Sequence, residues 1–318
     1  MPYLRRAVID VGTNSIKLLV ADVDGHDVRP ILEQSKQTRL GERFYETHEL
    51  QTEPVAYSAN AVGDFARLAR EHHVASIRVI ATSAARDAIN SGELVSAVRA
   101  ASGLDLEIIS GDQEAEWVFQ GVTTDPRLAA EPLLLLDVGG GSTEFIVGRN
   151  DHKHFAQSFP LGTVRLLEKI PHSDPPTTGE RDRVSQWIRD FLAEQVRPRL
   201  EPALRWETGS PAGRRGVQLV GTGGTASILA RLELKLESFD RDRIDAARLS
   251  SSRLSGHVEQ LWRLPLAERQ KVPGLPPKRA DVILTGAMIY EGVMGEFGFA
   301  ELRVSTRGLR FAAVMAPG

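Results

Sequence analysis

The sequence contains no cysteine among its 318 residues. This absence excludes disulfide bridges, thiolate nucleophiles, zinc fingers and iron–sulfur clusters. The chain also lacks any apolar run of transmembrane length, and its first residues show no signal-peptide layout. We therefore expect a cytoplasmic protein with no membrane partner.

A large net charge is also missing, because 39 Lys and Arg residues nearly balance 42 Asp and Glu residues and leave a formal charge of −3. A chain of this charge has no general attraction for nucleic acid. We expect no nucleic-acid partner, and we expect any polyanionic ligand to meet a local site. The eight histidines show no metal-binding spacing, and the Gly-x-x-x-x-Gly-Lys-Ser/Thr segment of P-loop enzymes is absent.

The most informative stretch runs from 133 to 147. An apolar run ends at Asp137, passes through Gly139-Gly-Gly-Ser142, and is followed by Glu144 and a second apolar run. This pattern predicts a strand, a tight turn and another strand. Glycines allow positive φ and carry no Cβ, so the backbone N–H groups of the turn can close on an anion. The two carboxylates could hold a divalent cation. The alternative is a purely structural hairpin, for which a two-residue turn would suffice.

The same pattern occurs near the start of the chain. A strand ends at Asp10, a Gly12-Thr-Asn-Ser15 turn follows, and a second strand returns. Two copies suggest an internal duplication in which each domain opens with such a hairpin. Two hairpins facing each other would hold a phosphate chain between them. The predicted order β-β-α-β-α-β in the first half favours an α/β fold with a mixed sheet.

A third glycine-rich turn, Gly221-Thr-Gly-Gly-Thr225, joins a buried strand to a helix. A turn of this kind at a helix N-terminus predicts another anion site. The segment also fits a loose dinucleotide-binding fingerprint. That interpretation is disfavoured because the βαβ unit that should start such a domain is missing.

Glu114 follows a capping-box spacing at Ser110 and Gln113, so it falls in the first turn of a predicted helix. The residues alone leave two interpretations open. The carboxylate could simply interact with the positive end of the helix dipole, or it could serve as a general base for water.

Six motifs then occur in order along the chain. They are Asp10-x-Gly12-Thr-Asn-Ser15, Ala81-Thr-Ser-Ala-Ala-Arg86-Asp-Ala-x-Asn90, Ile109-Ser-Gly-x-x-Glu114-Ala, Asp137-x-Gly-Gly-Gly-Ser-Thr-Glu144, Gly221-Thr-Gly-Gly-Thr225 and Pro273-Gly-Leu-Pro-Pro-x-Arg279-Ala-Asp281. Together they resemble the exopolyphosphatase/guanosine pentaphosphate phosphatase family over essentially the whole chain. The resemblance implies the actin/Hsp70/sugar kinase superfamily: an α/β fold of two ribonuclease H-like domains with a cleft between them. We expect the domains at 1–126 and 127–304, with a terminal helix at about 305–318 that packs back on the first.

The resemblance also implies roles for single residues. Glu114 would be catalytic together with Asp137 and Glu144, and Mg²⁺ or another divalent cation would be held by Asp10, Asp137 and Glu144. Arg86 and the three turns would bind the substrate phosphates. The turn residues are Gly12, Thr13, Asn14, Ser15, Gly139, Gly140, Gly141, Ser142, Gly221, Thr222, Gly223, Gly224 and Thr225.

The implied reaction is attack by water on the terminal phosphorus of inorganic polyphosphate or guanosine pentaphosphate. The alternatives are an ATP-dependent small-molecule kinase of the same superfamily and a non-catalytic regulator that binds polyphosphate or nucleotide. The chain departs from the family in two respects. It carries no C-terminal HD-like domain, which suggests short substrate chains, and Thr306 stands where Asp is expected. Family habit and the apolar helices further suggest a homodimer.

Overall fold

The computed structural model describes residues 3–208 and 216–316. The chain forms two compact units: the first contains the residues up to Thr124 and those from Arg307 onward, and the second spans Asp125–Thr306. The boundary that we expect at 126/127 lies close to this division and stays a prediction. Within the described ranges, no helix combines the length and apolar character needed to span a bilayer.

The first unit is built on a five-stranded sheet with the strand order β3-β2-β1-β4-β5. Its elements before Thr124 are β1 (Leu4–Val11), β2 (Ser15–Asp24), β3 (Asp27–Gln37), α1 (Phe44–Thr47), α2 (Thr52–Glu71), β4 (Ser76–Ala81), α3 (Ser83–Asp87), α4 (Ser91–Ser102), β5 (Leu106–Ile108) and α5 (Gly111–Val122). The first three strands pair antiparallel, whereas β1, β4 and β5 run parallel to one another. The expected mixed sheet is therefore present.

The core of the first unit lies between this sheet and α2. The helix buries apolar side chains at the helical period, as the sequence predicts. They are Val55, Ala59, Val62, Ala66 and Ala69. Ile9 and Val11 of β1 belong to the same core. Asp10 lies between them and therefore faces the opposite side of the sheet, because side chains alternate along a strand.

The second unit contains a six-stranded sheet with the strand order β10-β11-β9-β6-β7-β8. Its elements are α6 (Pro126–Ala129), β6 (Leu133–Val138), β7 (Thr143–Arg149), β8 (His152–Phe159), α7 (Thr163–Lys169), α8 (Thr178–Phe191), a π-helical turn (Leu192–Val196), α9 (Arg197–Thr208), β9 (Gln218–Thr222), α10 (Gly223–Leu234), α11 (Arg241–Asp245), β10 (Arg248–Ser250), α12 (Ser251–Trp262), α13 (Leu266–Arg269), a 3₁₀ turn (Pro277–Arg279), α14 (Ile283–Phe297) and β11 (Glu301–Val304).

The two sheets repeat one topology. Strands β8-β7-β6-β9-β11 have the same order and the same relative directions as β3-β2-β1-β4-β5, and β10 adds an antiparallel strand at one edge. The pairing of β2 with β3 has a register shift between Val20 and Ala21. The pairing of β7 with β8 has one at the equivalent place, between Val147 and Gly148. This agreement supports the predicted internal duplication.

The chain then returns to the first unit as α15 (Leu309–Met315), which packs on β1, β2 and α5. The predicted start of this helix at about 305 is wrong. Ser305 still continues the β-ladder, because its N–H donates to the carbonyl of Gly221 at 2.9 Å. A Cβ at Gly121 of α5 would lie 2.0 Å from the carbonyl oxygen of Gly308, so the chain approaches α5 closely just before α15 begins. Positions 317 and 318 of the predicted helix lie outside the described residues.

Candidate active site

The hairpin of the second unit, formed by β6 and β7, places two acidic side chains opposite each other. Asp137 pairs with Glu144, so both side chains lie on the same face of the sheet. Glu144 is buried, and its Oε1 atom accepts hydrogen bonds from the hydroxyls of Ser142 and Ser158, each at 2.8 Å. These bonds orient the Glu144 carboxylate. The facing pair offers the hard oxygen ligands that a divalent cation prefers.

The turn of this hairpin is bound to the segment that follows β8. Backbone amides at the start of α7 donate to the carbonyls of Gly139 and Gly140 at 2.8–3.1 Å. Arg165 Nε donates to the carbonyl of Gly141 at 2.7 Å. Because the C=O and N–H groups of a trans peptide point in opposite directions, the N–H groups of Gly140, Gly141 and Ser142 point away from these donors. Such a run of N–H groups is suited to phosphate oxygens.

The third turn, Gly221–Thr225, lies directly against Asp137. Gly223 has a φ of +79°, and a Cβ at this residue would lie 2.2 Å from Asp137 Oδ1. The hydroxyl of Thr225 donates to the carbonyl of Val138 at 2.8 Å, which joins the start of α10 to the end of β6. The first amides of a helix lack intrahelical acceptors, so α10 presents further donors at this place. Thr222 and Gly224 complete the turn.

The hairpin of the first unit, formed by β1 and β2, repeats this backbone. The N–H of Gly12 donates to the carbonyl of Ser15 at 3.1 Å, and in the second unit the N–H of Gly139 donates to the carbonyl of Ser142 at 2.9 Å. The same bond therefore closes both turns. Local glycine and hydroxyl chemistry produced the same structure twice.

The first turn is also bound to the segment after the third strand of its sheet. Backbone amides within residues 38–41 donate to the carbonyls of Thr13 and Asn14 at 2.8–3.2 Å. By the peptide geometry given above, the N–H groups of Asn14 and Ser15 point away from that segment. The predicted phosphate-binding residues of this turn thus have a backbone arrangement that suits an anion.

Asp10 occupies the place that Asp137 has in the other hairpin, but its cross-strand partner is Lys17. Burial raises the pKa of the Asp10 carboxyl, and the charges of Lys17 and Arg310 oppose this effect. The Oδ1 atom of Asp10 is buried without a hydrogen-bond partner among the described residues. A buried carboxylate oxygen of this kind fits the predicted role of a cation ligand.

Glu114 and Arg86 form an ion pair within the first unit. Ser110 caps α5 by accepting a hydrogen bond from the N–H of Gln113, so Glu114 lies in the first turn, as predicted. Arg86 Nη1 lies 2.9 Å from Glu114 Oε2 and 3.3 Å from the carbonyl oxygen of Ile109. The structure therefore brings together the predicted base and the predicted phosphate-binding arginine. The arginine orients the carboxylate.

The described residues contain no group of three or more His, Asp or Glu side chains placed to hold a metal ion. Of the predicted ligands, Asp137 and Glu144 belong to the second unit and Asp10 to the first, and their shared role stays a prediction. Mg²⁺ commonly binds one or two protein carboxylates and completes its shell with substrate phosphate and water. Asp137 and Glu144 have the chemistry for that mode.

Several supporting side chains were not predicted. Ser158 and Arg165 hold Glu144 and the adjacent turn, as described above. Tyr290 of α14 is buried, and its hydroxyl donates to the carbonyl of Leu136 at 3.0 Å, next to Asp137. Ser158 could have been found from the pairing of β7 with β8, since it lies opposite Glu144. No local sequence signal indicates the other two.

Thr306, which stands where the family resemblance leads us to expect Asp, is bonded to a carboxylate from elsewhere in the second unit. Its N–H and hydroxyl donate to Asp245 at 2.6 and 3.0 Å. Arg241 also donates to the Thr306 hydroxyl. Asp245 therefore supplies the negative charge at this place, and an aspartate at 306 would put two carboxylates in contact.

Comparison with known proteins identifies the family that this chain resembles. The model of the Ppx/GppA phosphatase family matches residues 19–314. Exopolyphosphatase 2 of Mycobacterium tuberculosis (strain CDC 1551 / Oshkosh) is 35% identical over 322 residues, which cover 96% of each chain.

Solved structures match the fold as well. The Ppx/GppA family member of Aquifex aeolicus is 28% identical, with a TM-score of 0.79 over 99% of this chain and 97% of its own. An exopolyphosphatase from Cytophaga hutchinsonii is 26% identical, with a TM-score of 0.84 over 97% and 96% of the two chains. Proteins of this kind have the ribonuclease H-like fold of the actin-like ATPases. The predicted fold class, two ribonuclease H-like α/β domains, is thereby confirmed.

Proposed function

Because the chain belongs to the Ppx/GppA phosphatase family, we propose that it hydrolyses the terminal phosphoanhydride bond of inorganic polyphosphate, of guanosine pentaphosphate, or of both. The relatives named exopolyphosphatases support polyphosphate as a substrate. Guanosine pentaphosphate rests on the family resemblance alone.

The observation that carries the proposal is the pairing of Asp137 with Glu144 across the glycine-rich turn. A turn built only to reverse the chain needs neither two facing carboxylates nor two serine hydroxyls that hold one of them. Facing carboxylates repel each other, so their juxtaposition costs stability unless a cation offsets it. This cost is typical of a functional site.

The proposed reaction begins with a water molecule oriented by Glu114. The water oxygen forms a bond to the terminal phosphorus, the bridging P–O bond to the rest of the chain breaks, and the Glu114 carboxylate accepts a proton from the water. The products are inorganic phosphate and a chain shorter by one phosphate. The N–H groups of the turns and Arg86 stabilise the negative charge on the phosphate oxygens.

Asp137 and Glu144 would hold Mg²⁺ or another divalent cation, with Asp10 as the third predicted ligand. When bound, the cation supplies neutralisation of the phosphate charge. Ser142 and Ser158 keep the Glu144 carboxylate in one orientation for this purpose. The close approach of Gly223 to Asp137 restricts that carboxylate in the same way.

The test is release of inorganic phosphate from polyphosphate and from guanosine pentaphosphate, each with Mg²⁺ and with EDTA. We expect Mg²⁺-dependent release that Glu114→Gln lowers by about 100-fold or more, because loss of a general base typically has this effect. Glu116→Gln is the matched control, since Glu116 lies on the same helix and its side chain accepts a hydrogen bond from Gln120 at 2.7 Å. This control should keep the parent rate.

If the protein transferred phosphate from ATP to a small acceptor and hydrolysed neither polyphosphate nor guanosine pentaphosphate, the alternative function as a kinase would be supported instead. Tight binding of polyphosphate without hydrolysis would favour the regulator. The faster of the two substrates would define the specificity. Short and long polyphosphate, compared at equal concentrations of chain ends, would test the predicted preference for short chains. The homodimer and the cytoplasmic location also stay predictions, and sedimentation would test the first.

A further inference from the structure

Five buried polar atoms around the first hairpin have no hydrogen-bond partner among the residues that the structure describes. They are Asp10 Oδ1, Asn14 Nδ2, Ser15 Oγ, Thr38 Oγ1 and Ser83 Oγ. Each of the five residues is less than one-tenth exposed. Buried polar groups are nearly always hydrogen-bonded in folded proteins, so each exception calls for a partner. Five such exceptions within or beside one hairpin therefore need an explanation.

Thr38 and Ser83 flank the first hairpin on two sides. The N–H of Thr38 donates to the carbonyl of Asn14 at 3.2 Å, at the tip of the turn. Thr82, which precedes Ser83, donates its N–H to the carbonyl of Val11 at 3.3 Å, where β1 ends. Thr38 is therefore attached to the turn through its own backbone, and Ser83 follows a residue whose backbone is bonded to the end of β1.

At equivalent positions of the second unit, side-chain hydroxyls form hydrogen bonds within the protein. Asp10 is paired with Ile80 of the neighbouring parallel strand, and Asp137 is paired with Thr222. Counting on from these pairs, Ser83 corresponds to Thr225. The Thr225 hydroxyl donates to a backbone carbonyl at 2.8 Å, whereas the Ser83 hydroxyl has no partner within the described ranges.

The serines of the two turns, Ser15 and Ser142, differ in the same way: within the described part of the chain, only the second forms a side-chain hydrogen bond. In the second unit the Ser142 hydroxyl donates to Glu144. In the first unit Lys17 stands opposite Asp10, and the corresponding Ser15 hydroxyl is one of the unsatisfied atoms. The first hairpin therefore offers hydrogen-bond donors that the second hairpin uses internally.

The kind of ligand follows from the donor set. Hydroxyls can donate, and the amide nitrogen of Asn14 can only donate. Its amide oxygen is already occupied, because it accepts a hydrogen bond from Gln37 at 3.0 Å. Four donors around N–H groups of the turn suit an anion with several oxygens, and the remaining acceptor, Asp10 Oδ1, suits the cation that accompanies such an anion.

We propose that Thr38 and Ser83 complete a phosphate-binding subsite with Asn14 and Ser15, and that their hydroxyls donate to the non-bridging oxygens of one phosphate of a condensed phosphate chain. The proposed function supplies only the identity of the ligand. The subsite itself rests on the unsatisfied donors. Buried water could satisfy the same atoms, and the experiment separates this case from phosphate binding.

The experiment measures binding of inorganic triphosphate by calorimetry, without Mg²⁺, in the whole chain that carries Glu114→Gln, a substitution that slows turnover. We expect Thr38→Val and Ser83→Ala each to raise the Kd about tenfold, since a hydrogen bond to a charged group is typically of this strength. Ser58→Ala is the matched control. Its hydroxyl is likewise buried without a partner in the described part of the chain, but it lies within α2. The control should leave the Kd unchanged.

Thermal unfolding supplies the second readout. Without ligand, removal of an unsatisfied buried hydroxyl should leave the Tm unchanged or raise it, because the burial penalty disappears. With saturating triphosphate, Thr38→Val and Ser83→Ala should gain less Tm than the parent. A structural role for the hydroxyls would instead lower the Tm of the free protein.

An unchanged Kd in both variants would overturn the inference and favour water, as would a parent that binds no triphosphate. Its failure can be told apart from failure of the proposed function. Binding that depends on Thr38 and Ser83 in a protein that hydrolyses nothing would remove only the proposed function. If the unmodified protein hydrolysed polyphosphate but the Kd for triphosphate did not depend on Thr38 or Ser83, only the proposed subsite would be rejected.

Discussion

The two hairpins have one backbone and two chemistries. Each turn is closed by a bond from a glycine N–H to a serine carbonyl, at 3.1 Å in the first unit and 2.9 Å in the second. At the cross-strand position next to the turn, however, Asp10 faces Lys17 in the first hairpin and Asp137 faces Glu144 in the second. The first pair joins an acidic and a basic side chain, and the second joins two acidic side chains.

This difference suits the two hairpins to ligands of opposite charge. The first leaves hydroxyl and amide donors unsatisfied and sets a cation opposite its carboxylate, so it suits an anion. The second satisfies its serine through Glu144 and sets two carboxylates face to face, so it suits a cation. The same backbone therefore occurs twice, and a few side chains distinguish the kind of ligand that each copy is suited to bind.

The largest expected effect comes from giving the second hairpin the cross-strand charge of the first. Glu144→Lys should lower kcat by about 1,000-fold, because it replaces a proposed cation ligand with a positive charge at the site of the chemistry. Steady-state phosphate release from polyphosphate is the measurement. Retention of more than one-tenth of the parent rate would show that the acidic pair is not needed.

Two further variants make this exchange informative. Glu144→Gln keeps an oxygen that can accept from Ser142 and Ser158, so it isolates the loss of charge. Lys17→Glu performs the reciprocal exchange in the first hairpin. We expect it to raise KM about tenfold with little change in kcat, as loss of uniform phosphate binding does. Equal effects of both exchanges on kcat would contradict the division of work.

The next prediction concerns the stability of the second unit, in which Gly223 lies directly against Asp137. Gly223→Ala should lower the free energy of unfolding by about 3 kcal/mol, since it combines a positive φ with a Cβ 2.2 Å from Asp137 Oδ1. Gly25→Ala is the control, because Gly25 has a φ of +57° and no atom within 4 Å of an added Cβ. It should cost about 1 kcal/mol. Urea unfolding of both variants would refute the steric argument if the two losses were equal.

Local patterns made the backbone of both hairpins predictable. Apolar strands ending in Asp10 and Asp137, followed by glycine and hydroxyl residues, are signals within about ten positions, and such signals do not depend on tertiary structure. The cap at Ser110, which places Glu114 in the first turn of α5, is equally local. The strands of both hairpins and the start of α5 were predicted correctly, whereas the roles of the site residues stay predictions.

The partners of the site residues could not be predicted in the same way. Arg86 reaches Glu114 only because β4 and β5 pair in parallel and deliver α3 and α5 to one edge of the sheet. Tyr290 meets Leu136 across 154 positions of the sequence. Contacts of this range depend on packing between elements, which residue spacing does not encode.

A smaller effect should come from Asp10 and should depend on pH. Burial raises the pKa of Asp10, so the native state holds this proton more tightly than the unfolded chain does. The associated stability is fully present below the ordinary aspartate pKa of about 3.9 and is lost as the pH rises through the folded-state value. In EDTA, Asp10→Asn should therefore be more stable than the parent at neutral pH, with a gain that disappears toward acid.

Urea unfolding between pH 4 and 8 would measure this gain, with Asp105→Asn at an exposed position as the control for lost surface charge. The same substitution should impair phosphate release, because it removes a predicted cation ligand. A variant that is less stable than the parent at neutral pH would mean that the Asp10 carboxylate is satisfied inside the protein.

The smallest effect should come from Tyr290, which supports the second hairpin from within the core. Burial and the nearby Asp137 charge raise the pKa of Tyr290 well above its usual value, so its hydroxyl is protonated at neutral pH and donates to the Leu136 carbonyl. Tyr290→Phe should cost about 1 kcal/mol of unfolding free energy, the usual contribution of one buried hydrogen bond. Tyr57→Phe, at an exposed tyrosine of the first unit, should change it by less than about 0.5 kcal/mol.

The Tyr290–Leu136 hydrogen bond could stabilise the fold alone or could also position Asp137, because Leu136 directly precedes Asp137. Measurement of kcat distinguishes these two roles. A fall in kcat at a temperature where the variant is fully folded would mean that the bond positions the carboxylate, and an unchanged kcat would limit Tyr290 to stability.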